Sequence, residues 1–234
     1  MISYSSLFEE RYGTSLLADA AFRAGIEVVV PDRGLYPLDQ RSKLAGPVVT
    51  VVANNDLVSI MHAVDQASPG DVVVIANRVT EVGLIGDLIG GEAVRKRLAG
   101  FVVDGWVRDT VELVDLGIPV FCQGSYPVGP LKLPPSMKSV GVVGEPLSIR
   151  GVTIAPGMWI FGDADGLLLF EADSLEAVFE GAALALTREQ DLASEIASGT
   201  ALADAFQLQS FLTKRSNDLT ADFNAHLKEI GRAI

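Results

Sequence analysis

The stretch GFVVDGWVRD, residues 100–109, ends a run of apolar residues on two opposite charges, Arg108 and Asp109. An arginine at the end of a buried strand can bind a carboxylate or stabilise an enolate oxygen, and an aspartate there can hold a hard divalent cation. Ligands of α/β sheets gather beyond the carboxyl ends of the strands, which favours a binding role. A surface ion pair, or an aspartate that caps a helix predicted in the following TVELVDLG, explains the same residues as well. The stretch alone leaves both interpretations open.

A second stretch, VGLIGDLIGGEA at residues 82–93, surrounds Asp87 with four glycines and leads into a helix predicted to begin near Leu88. Glycines remove the side chains that would keep an anion away from the backbone N–H groups of a helix start. The alternative is a flexible turn in which Asp87 caps the helix. The glycine spacing matches neither the dinucleotide-binding G-x-G-x-x-G pattern nor a P-loop, which requires Gly-Lys-Ser/Thr.

The other polar candidates have simpler structural explanations. Asp163 and Asp165 in GDADG look like metal ligands, but a hairpin-type turn explains them better. The single cysteine, Cys122, stands in the strand-like PVFC and is predicted to fill the core. His62 and His226 belong to no defensible Ser-His-Asp arrangement, and the lack of Cys/His pairs argues against a zinc site.

Strands that alternate with helices position these motifs. Strands are predicted over residues 48–53, 72–76 and 101–107, and a helix over 56–66 is predicted to be capped near Asn55 or Asp56. Residues 125–172 are rich in Pro and Gly with short β-like runs, and a helical pattern resumes at Ser174. We therefore predict a layered α/β domain at 1–172 and a helical C-terminal extension at 173–234.

Composition excludes several classes of function. The chain has 234 residues, 49% of them hydrophobic, which is enough to bury a sizeable core. A net charge of −12 disfavours binding to nucleic acid, which needs clustered basic residues. The apolar runs are strand-sized and predict no membrane span, and the first residues do not look like a signal peptide. A single cysteine fits a reducing cytoplasm, where we expect the protein to work.

Taken together, GLIGDLIGGEA and GFVVDGWVRD resemble the family of the regulator of ribonuclease activity A. The resemblance is closest to its enzymatic branch, the divalent-metal-dependent 4-hydroxy-4-methyl-2-oxoglutarate / 4-carboxy-4-hydroxy-2-oxoadipate aldolases. The family pattern is a glycine loop ending Gly-Asp-Leu-Leu, followed about twenty residues later by Arg-Asp on the next strand. Here Arg108 stands 21 positions after Asp87. SPGDVVVI, ELVDLGIPVF and VTIAPGMWIFGDADGLLLF extend the resemblance over roughly residues 15–205.

The resemblance implies roles for the glycine-loop residues. The backbone N–H groups of Leu88 and Ile89, which follow Gly86, would hold the carboxylate of a pyruvate-like moiety. Asp87 would position the water that shuttles a proton. Ile89 stands where the family usually has leucine, which is a mild change because the backbone amide makes the contact.

It also implies roles for the charged residues. Arg108 would contact the keto oxygen, and Asp109 would ligate Mg²⁺ or Mn²⁺. We expect these two side chains to have separate roles instead of sharing a salt bridge. A further metal-site glutamate would come from a neighbouring subunit, and Glu189 is the candidate for it. The C-terminal extension is expected to pack on that neighbour in a homotrimer or homohexamer.

The implied fold is a swivelling-domain-like α/β fold, and the implied function is a class II pyruvate lyase. Such an enzyme would cleave a 4-hydroxy-2-oxo acid, decarboxylate oxaloacetate, or do both, through a metal-stabilised pyruvate enolate. Two alternatives stay open: a non-catalytic protein that inhibits ribonuclease E, and a lyase for a different keto acid. The second draws support from GPLKLPPSMKSVGVVGEP, which is longer and richer in proline than the resemblance predicts and would lie at the pocket rim.

Overall fold

The computed structural model describes residues 3–77 and 82–232, which form two compact units. The first unit is Met1–Phe179 and the second is Glu180–Ile234. The units divide inside a long helix, whereas the sequence placed the division at residues 172 and 173.

The helices of the described residues are α1 Tyr4–Arg11, α2 Thr14–Ala24, α3 Leu57–Gln66, α4 Asp87–Lys96, α5 Thr110–Asp115, α6 Leu175–Ala197, α7 Leu202–Ala205, α8 Leu208–Asn217 and α9 Phe223–Glu229. The strands are β1 Tyr36–Pro37, β2 Leu44–Val52, β3 Val72–Ala76, β4 Gly100–Val107, β5 Val120–Ser125, β6 Val142–Val143, β7 Leu147–Ile149, β8 Val152–Ile154, β9 Trp159–Asp163 and β10 Gly166–Phe170. Short 3₁₀ turns cover Pro130–Lys132, Pro135–Met137 and Ala172–Ser174.

A mixed sheet in the order β1-β5-β4-β3-β2-β9-β10 forms the frame of the first unit, with β6 paired to the end of β2. Strands β2, β3, β4 and β5 are parallel, and β1, β6, β9 and β10 run antiparallel to their neighbours. The uninterrupted VVVIA of β3 is buried throughout, as expected for a parallel strand that is covered on both faces. All four parallel strands therefore place their carboxyl ends at one edge of the sheet.

Both faces of the sheet are covered. One face packs against α3, α4 and α5 through the buried residues Ile60, Ala93 and Leu113. The opposite face packs against the β7–β8 hairpin, whose buried residues Leu147 and Ile149 join a second cluster. This arrangement confirms the α/β class that the alternating pattern predicted.

Polar contacts fix the antiparallel side of the sheet and the middle of β4. Asp163, in the β9–β10 hairpin, accepts hydrogen bonds from the backbone N and Oγ1 of Thr14, both at 2.7 Å. The predicted turn is therefore confirmed, and the Asp163 carboxylate holds the first residue of α2 by two hydrogen bonds. Asp104 on β4 accepts from Gln123 Nε2 and Arg150 Nε, both at 2.8 Å, which links two strands to the β7–β8 hairpin.

A buried asparagine anchors the loops at the carboxyl edge. Asn55 is fully buried. Its Oδ1 accepts a hydrogen bond from Asn77 Nδ2 at 2.8 Å, and its Nδ2 donates to the Met137 carbonyl at 2.9 Å. Asn54 and Asn55 both adopt a left-handed conformation, with φ of 49° and 60°, which asparagine tolerates better than most residues. The predicted cap of α3 is Asp56, which accepts from the backbone N of Val58 and Ser59.

The second unit has its own small core. Phe211 packs against Phe223 with ring centroids 4.8 Å apart and against His226 at 5.3 Å. Arg232 makes a bidentate pair with Glu195, both N–O distances being 2.8 Å. The predicted helical C-terminal region is confirmed. Its packing on a neighbouring subunit stays a prediction. Within residues 3–77 and 82–232, no helix combines the length and the apolar content that a membrane crossing requires.

Replacing Asn55 by alanine removes the side-chain oxygen that accepts from Asn77 Nδ2 and the side-chain amide that donates to the Met137 carbonyl. We expect Asn55→Ala to lower the free energy of unfolding by about 1–3 kcal/mol more than Asn54→Ala, which has the same backbone strain but a weaker contact. Urea denaturation of both variants measures the difference. Equal losses would mean that backbone conformation, and not the buried hydrogen bonds, sets the cost.

Candidate functional site

The glycine loop reaches the end of β4 by running beside it. Leu84 donates its backbone N–H to the Trp106 carbonyl at 2.8 Å, and Arg108 donates to the Ile85 carbonyl at 2.9 Å. This pairing continues the parallel sheet for a few residues beyond β3 and brings Gly86 directly against Asp109. The two motifs that the sequence singled out therefore meet at the carboxyl edge of the sheet.

Gly86 is required by this close approach. A Cβ on Gly86 would lie 2.2 Å from Asp109 Oδ2 and 3.1 Å from the Arg108 side chain. Gly83 is equally confined, because a Cβ there would lie 2.5 Å from the Tyr126 carbonyl oxygen. A side chain at Gly86 would push the Asp109 carboxylate aside, and one at Gly83 would meet the Tyr126 backbone.

Asp109 occupies a helix-cap position without capping the helix. It precedes α5 with φ 52° and ψ 46°, and its side chain makes no capping hydrogen bond. Its Oδ2 instead accepts from Arg108 Nε at 2.9 Å and from the Asp87 backbone N at 3.4 Å. Left-handed backbone in a non-glycine residue is costly and is often retained for function. The helix-cap interpretation of Asp109 is therefore wrong for its side chain.

The same contacts correct a second prediction. Arg108 and Asp109 do form an ion pair, with their side chains 42% and 30% exposed, whereas the sequence led us to expect separate roles without a shared salt bridge. The pair forms because the turn at Asp109 folds its carboxylate back over the preceding residue. Partial burial acts to raise the pKa of Asp109, but the hydrogen bonds from Arg108 and the Asp87 amide outweigh it and hold the pKa below the ordinary value.

The start of α4 presents amides to the same place. The first amides of a helix have no partner within it and attract anions. Here the Leu88 amide donates to Asp87 Oδ1 at 2.8 Å, while the Leu88 side chain is 82% exposed. A ligand carboxylate that binds the amides of Leu88 and Ile89 must first displace Asp87 from the Leu88 amide.

These residues line one pocket of about 180 Å³. The sequence predicted only some of its lining residues. Gly86, Asp87, Leu88, Ile89, Arg108 and Asp109 all border it, as the resemblance implies. The sequence missed the rest of the wall, namely Leu57, Pro130, Leu131 and Lys132. The wall lies against the ion pair, since a Cβ on Gly129 would be 3.0 Å from Arg108 Nη1. The only sequence signal was the proline-rich composition of this segment.

The carboxylate oxygens at the pocket are a type of donor that suits a hard divalent cation. Among residues 3–77 and 82–232, no three His, Cys, Asp or Glu side chains cluster as metal ligands. Asp87 and Asp109 do bring two carboxylates to the pocket, and Mg²⁺ is commonly held by one or two carboxylates together with water and substrate. Glu189, the other predicted ligand, lies on α6 in the second unit, so its part in the site stays a prediction.

The remaining candidates have structural roles or lie apart from the pocket. Cys122 is buried on β5, and burial raises the pKa of its thiol to about 11. His226 is buried in the second unit and donates from Nε2 to the Phe206 carbonyl at 2.9 Å. His62 is exposed on α3. None of these residues borders the pocket at Arg108.

Fold and pocket together define an α/β protein whose candidate site lies at the carboxyl edge of four parallel strands. A family model described as RraA-like (Aldolase/RraA) matches residues 14–169. The chain belongs to this family.

Individual relatives agree with the family. The chain is 37% identical over 150 residues to a protein of Halalkalibacterium halodurans named "Putative 4-hydroxy-4-methyl-2-oxoglutarate aldolase", covering 63% of this chain and 69% of the relative. An uncharacterised protein from Pseudomonas syringae has a similar structure, with a TM-score of 0.71, 25% identity and coverage of 87% of this chain and 98% of the other. The RNA-processing inhibitor RraA from Thermus thermophilis is similar with a TM-score of 0.56, 26% identity and coverage of 66% and 91%.

The ion pair between Arg108 and Asp109 predicts how the pKa of Asp109 changes when Arg108 is replaced. We expect Arg108→Met to raise the pKa of Asp109, because the variant loses the strongest contact that favours the charged form. In the wild type, the stability that the ionised Asp109 contributes is lost only as pH falls through its lowered pKa. In the variant, this loss occurs at higher pH. Carboxyl ¹³C NMR titration measures both pKa values.

Arg95→Met is the matched control, since Arg95 holds the pKa of Glu92 below its ordinary value by the same kind of bond on the exposed face of α4. It should raise the pKa of Glu92 and leave that of Asp109 unchanged. If the pKa of Asp109 is the same in Arg108→Met as in the wild type, the ion pair is contradicted.

Proposed function

We propose that this protein is a divalent-metal-dependent pyruvate lyase. It would cleave a 4-hydroxy-2-oxo acid of the 4-hydroxy-4-methyl-2-oxoglutarate type by retro-aldol reaction, decarboxylate oxaloacetate, or do both. The observation that carries the proposal is the meeting of Asp87, Arg108 and Asp109 in one pocket, with Asp109 held in a strained conformation that serves no cap. The aldolase name of the Halalkalibacterium relative supports the same reaction class.

Both reactions break the bond between C3 and C4 of the substrate, and C3 becomes the methyl carbon of pyruvate. The bonding electrons move into the pyruvate unit and leave an enolate, whose oxygen carries the developing charge. The Arg108 guanidinium would donate to that oxygen, and such a donor stabilises charge where it forms in the transition state. Arg108 is partly exposed and can turn its remaining N–H groups toward a ligand while Nε holds Asp109.

The start of α4 would bind the other end of the pyruvate unit. The substrate carboxylate would accept hydrogen bonds from the backbone N–H groups of Leu88 and Ile89, which follow Gly86. The Leu88 amide donates to the Asp87 carboxylate in this structure, so binding of the substrate carboxylate there would release Asp87. The freed carboxylate would orient the water that takes the proton of the C4 hydroxyl group and returns one to the enolate carbon.

Asp109 would hold Mg²⁺ or Mn²⁺, with Glu189 of a neighbouring subunit as a further ligand. A bound divalent ion supplies positive charge next to the enolate oxygen. Because hydrogen bonds from Arg108 and the Asp87 amide hold the pKa of Asp109 below its ordinary value, its carboxylate is ionised at neutral pH and can serve as a ligand. A ligand from a neighbour requires a homo-oligomer, for which we propose a trimer or a hexamer.

A second candidate function comes from the similarity to the Thermus RraA, which is named an RNA-processing inhibitor. This chain would then bind ribonuclease E and need no reaction at the pocket. The charged residues around Gly86 favour the lyase. An inhibitor would not need an aspartate with a left-handed backbone beside an arginine in the pocket. A lyase for a different keto acid is a further alternative, since Gly129–Lys132 shape the pocket away from the pyruvate end.

The lyase predicts metal-dependent release of pyruvate. The wild type should release pyruvate from 4-hydroxy-4-methyl-2-oxoglutarate or oxaloacetate with Mg²⁺ and stop when a chelator is added. Arg108→Ala should lower kcat/KM by roughly 30- to 1000-fold, about 2–4 kcal/mol of transition-state stabilisation, because it removes the oxyanion donor. A coupled lactate dehydrogenase assay measures the rate.

Arg95→Ala, which removes an exposed guanidinium from α4, should keep the wild-type rate. If neither substrate yields pyruvate, the proposed reactions are wrong, and inhibition of ribonuclease E and cleavage of a different keto acid become the candidates. Full activity of Arg108→Ala would refute the assigned role of this residue.

A further inference from the structure

Strand β4 contains one residue more than β5 where the two strands pair. Val103 pairs with Cys122, and the next pair is Trp106 with Gly124. From one pair to the next, β4 advances three positions and β5 advances only two, so the extra residue lies at Asp104. A bulge of this kind is often found beside an active site, where it turns a side chain toward the site. The proposed chemistry assigns no role to this bulge.

The extra residue determines which way Arg108 points. Beyond it, the Trp106 carbonyl accepts from the Leu84 amide at 2.8 Å, and the Arg108 amide donates to the Ile85 carbonyl at 2.9 Å. Because successive side chains of a strand alternate between its two faces, a shift of one residue turns each later side chain to the opposite face. Without the extra residue, the Arg108 side chain would therefore point away from the pocket that it borders.

Two side chains hold Asp104 at the bulge. Its Oδ1 accepts from Nε2 of Gln123, the β5 residue that faces the bulge, and from Arg150 Nε, both at 2.8 Å. The ion pair of Arg150 with Asp104 is partly buried, with side chains 28% and 20% exposed, so salt screens it less than a fully exposed pair. The two bonds tie the extra residue to the neighbouring strand and to the β7–β8 hairpin.

Contacts on its other side hold Arg150 in place. Arg150 has a left-handed backbone conformation, with φ of 44°, which a non-glycine residue keeps only where surrounding contacts hold it. Its carbonyl accepts from the Asp32 amide at 2.8 Å, and a Cβ on Gly34 would lie 2.8 Å from Arg150 Nη1. The loop that contains Asp32 and Gly34 therefore packs directly on the guanidinium that reaches Asp104.

We propose that Asp104 is a positioning residue for Arg108. Through Gln123 and Arg150 it holds the extra residue of β4, and this keeps the Arg108 side chain on the pocket face. Asp104 does not border the pocket and takes no part in bond cleavage. The effect on the reaction rate rests on the proposed function, whereas the effect on the register of β4 does not.

Amide hydrogen exchange, followed by NMR, tests the register without turnover. Asp104→Ala should lower the protection of the Leu84 and Arg108 amides about 10-fold more than that of the β3 amides, because these two amides bond beyond the bulge. Asp104→Asn should keep most of the protection, since its side-chain oxygen can accept the same two hydrogen bonds.

Pyruvate release tests the consequence for the pocket. Asp104→Ala should lower kcat by about 10- to 100-fold with little change in KM, because a small misplacement of a group that acts in the transition state slows the reaction. Asp104→Asn should restore most of the rate. Arg150→Met removes one of the two bonds and should lower both kcat and the protection by a smaller factor. This variant decides the question if Asp104→Ala does not fold.

Asp163→Ala is the matched control, because Asp163 also accepts two hydrogen bonds at a strand of the same sheet, both from Thr14. It should keep the wild-type kcat, and the Leu84 and Arg108 amides should lose no more protection than β3. The same result for Asp104→Ala would mean that Asp104 only stabilises the fold, and would overturn the inference.

The two proposals fail separately. If the wild type releases pyruvate and both Asp104→Ala and Arg150→Met keep its kcat, the positioning role alone is wrong. If Asp104→Ala loses protection selectively at Leu84 and Arg108 but the wild type releases no pyruvate, the lyase alone is wrong.

Discussion

Gly86 and Asp109 touch at a distance that leaves no room for a side chain, and the geometry of the pocket follows from that contact. A Cβ on Gly86 would lie 2.2 Å from Asp109 Oδ2. The contact requires the glycine loop to run beside β4, so α4 starts with its amides at the end of that strand. It also requires Asp109 to turn back in a left-handed conformation. A loop, a strand end and a helix start thus share one junction at the carboxyl edge of the sheet.

Charge at this junction is balanced by contacts that a ligand can exchange. Asp109 accepts from Arg108 and from the Asp87 amide, and Asp87 in turn accepts from the Leu88 amide. An anionic ligand could accept from the same donors, and it would then compete with Asp87 or Asp109 for them. In a strongly acidic protein these donors can still hold an anion, because solvent ions screen the distant negative charges.

Local patterns in the sequence predicted the frame and the two motifs. VVVIA became the fully buried β3, Asp56 became the cap of α3, and Gly86-Asp87 became the start of α4, because each depends on residues within a few positions. The Arg108–Asp109 ion pair depends on a backbone turn that residue types do not reveal. The wall at Gly129–Lys132 and the tether from Asn55 to Met137 join segments far apart in the chain. Such contacts are set by tertiary packing, so propensity and periodicity could not predict them.

Exchange of the methyl protons of pyruvate with D₂O tests most directly whether this junction forms an enolate site, because exchange requires the enolate and no acceptor molecule. With Mg²⁺ the wild type should exchange these protons, and Gly91→Ala should do so as well, since a Cβ on Gly91 meets no atom within 4 Å. Gly86→Ala should fold, lose the contact with Asp109, and exchange at the background rate. A folded Gly86→Ala variant that exchanges as fast as the wild type would contradict the enolate site described here.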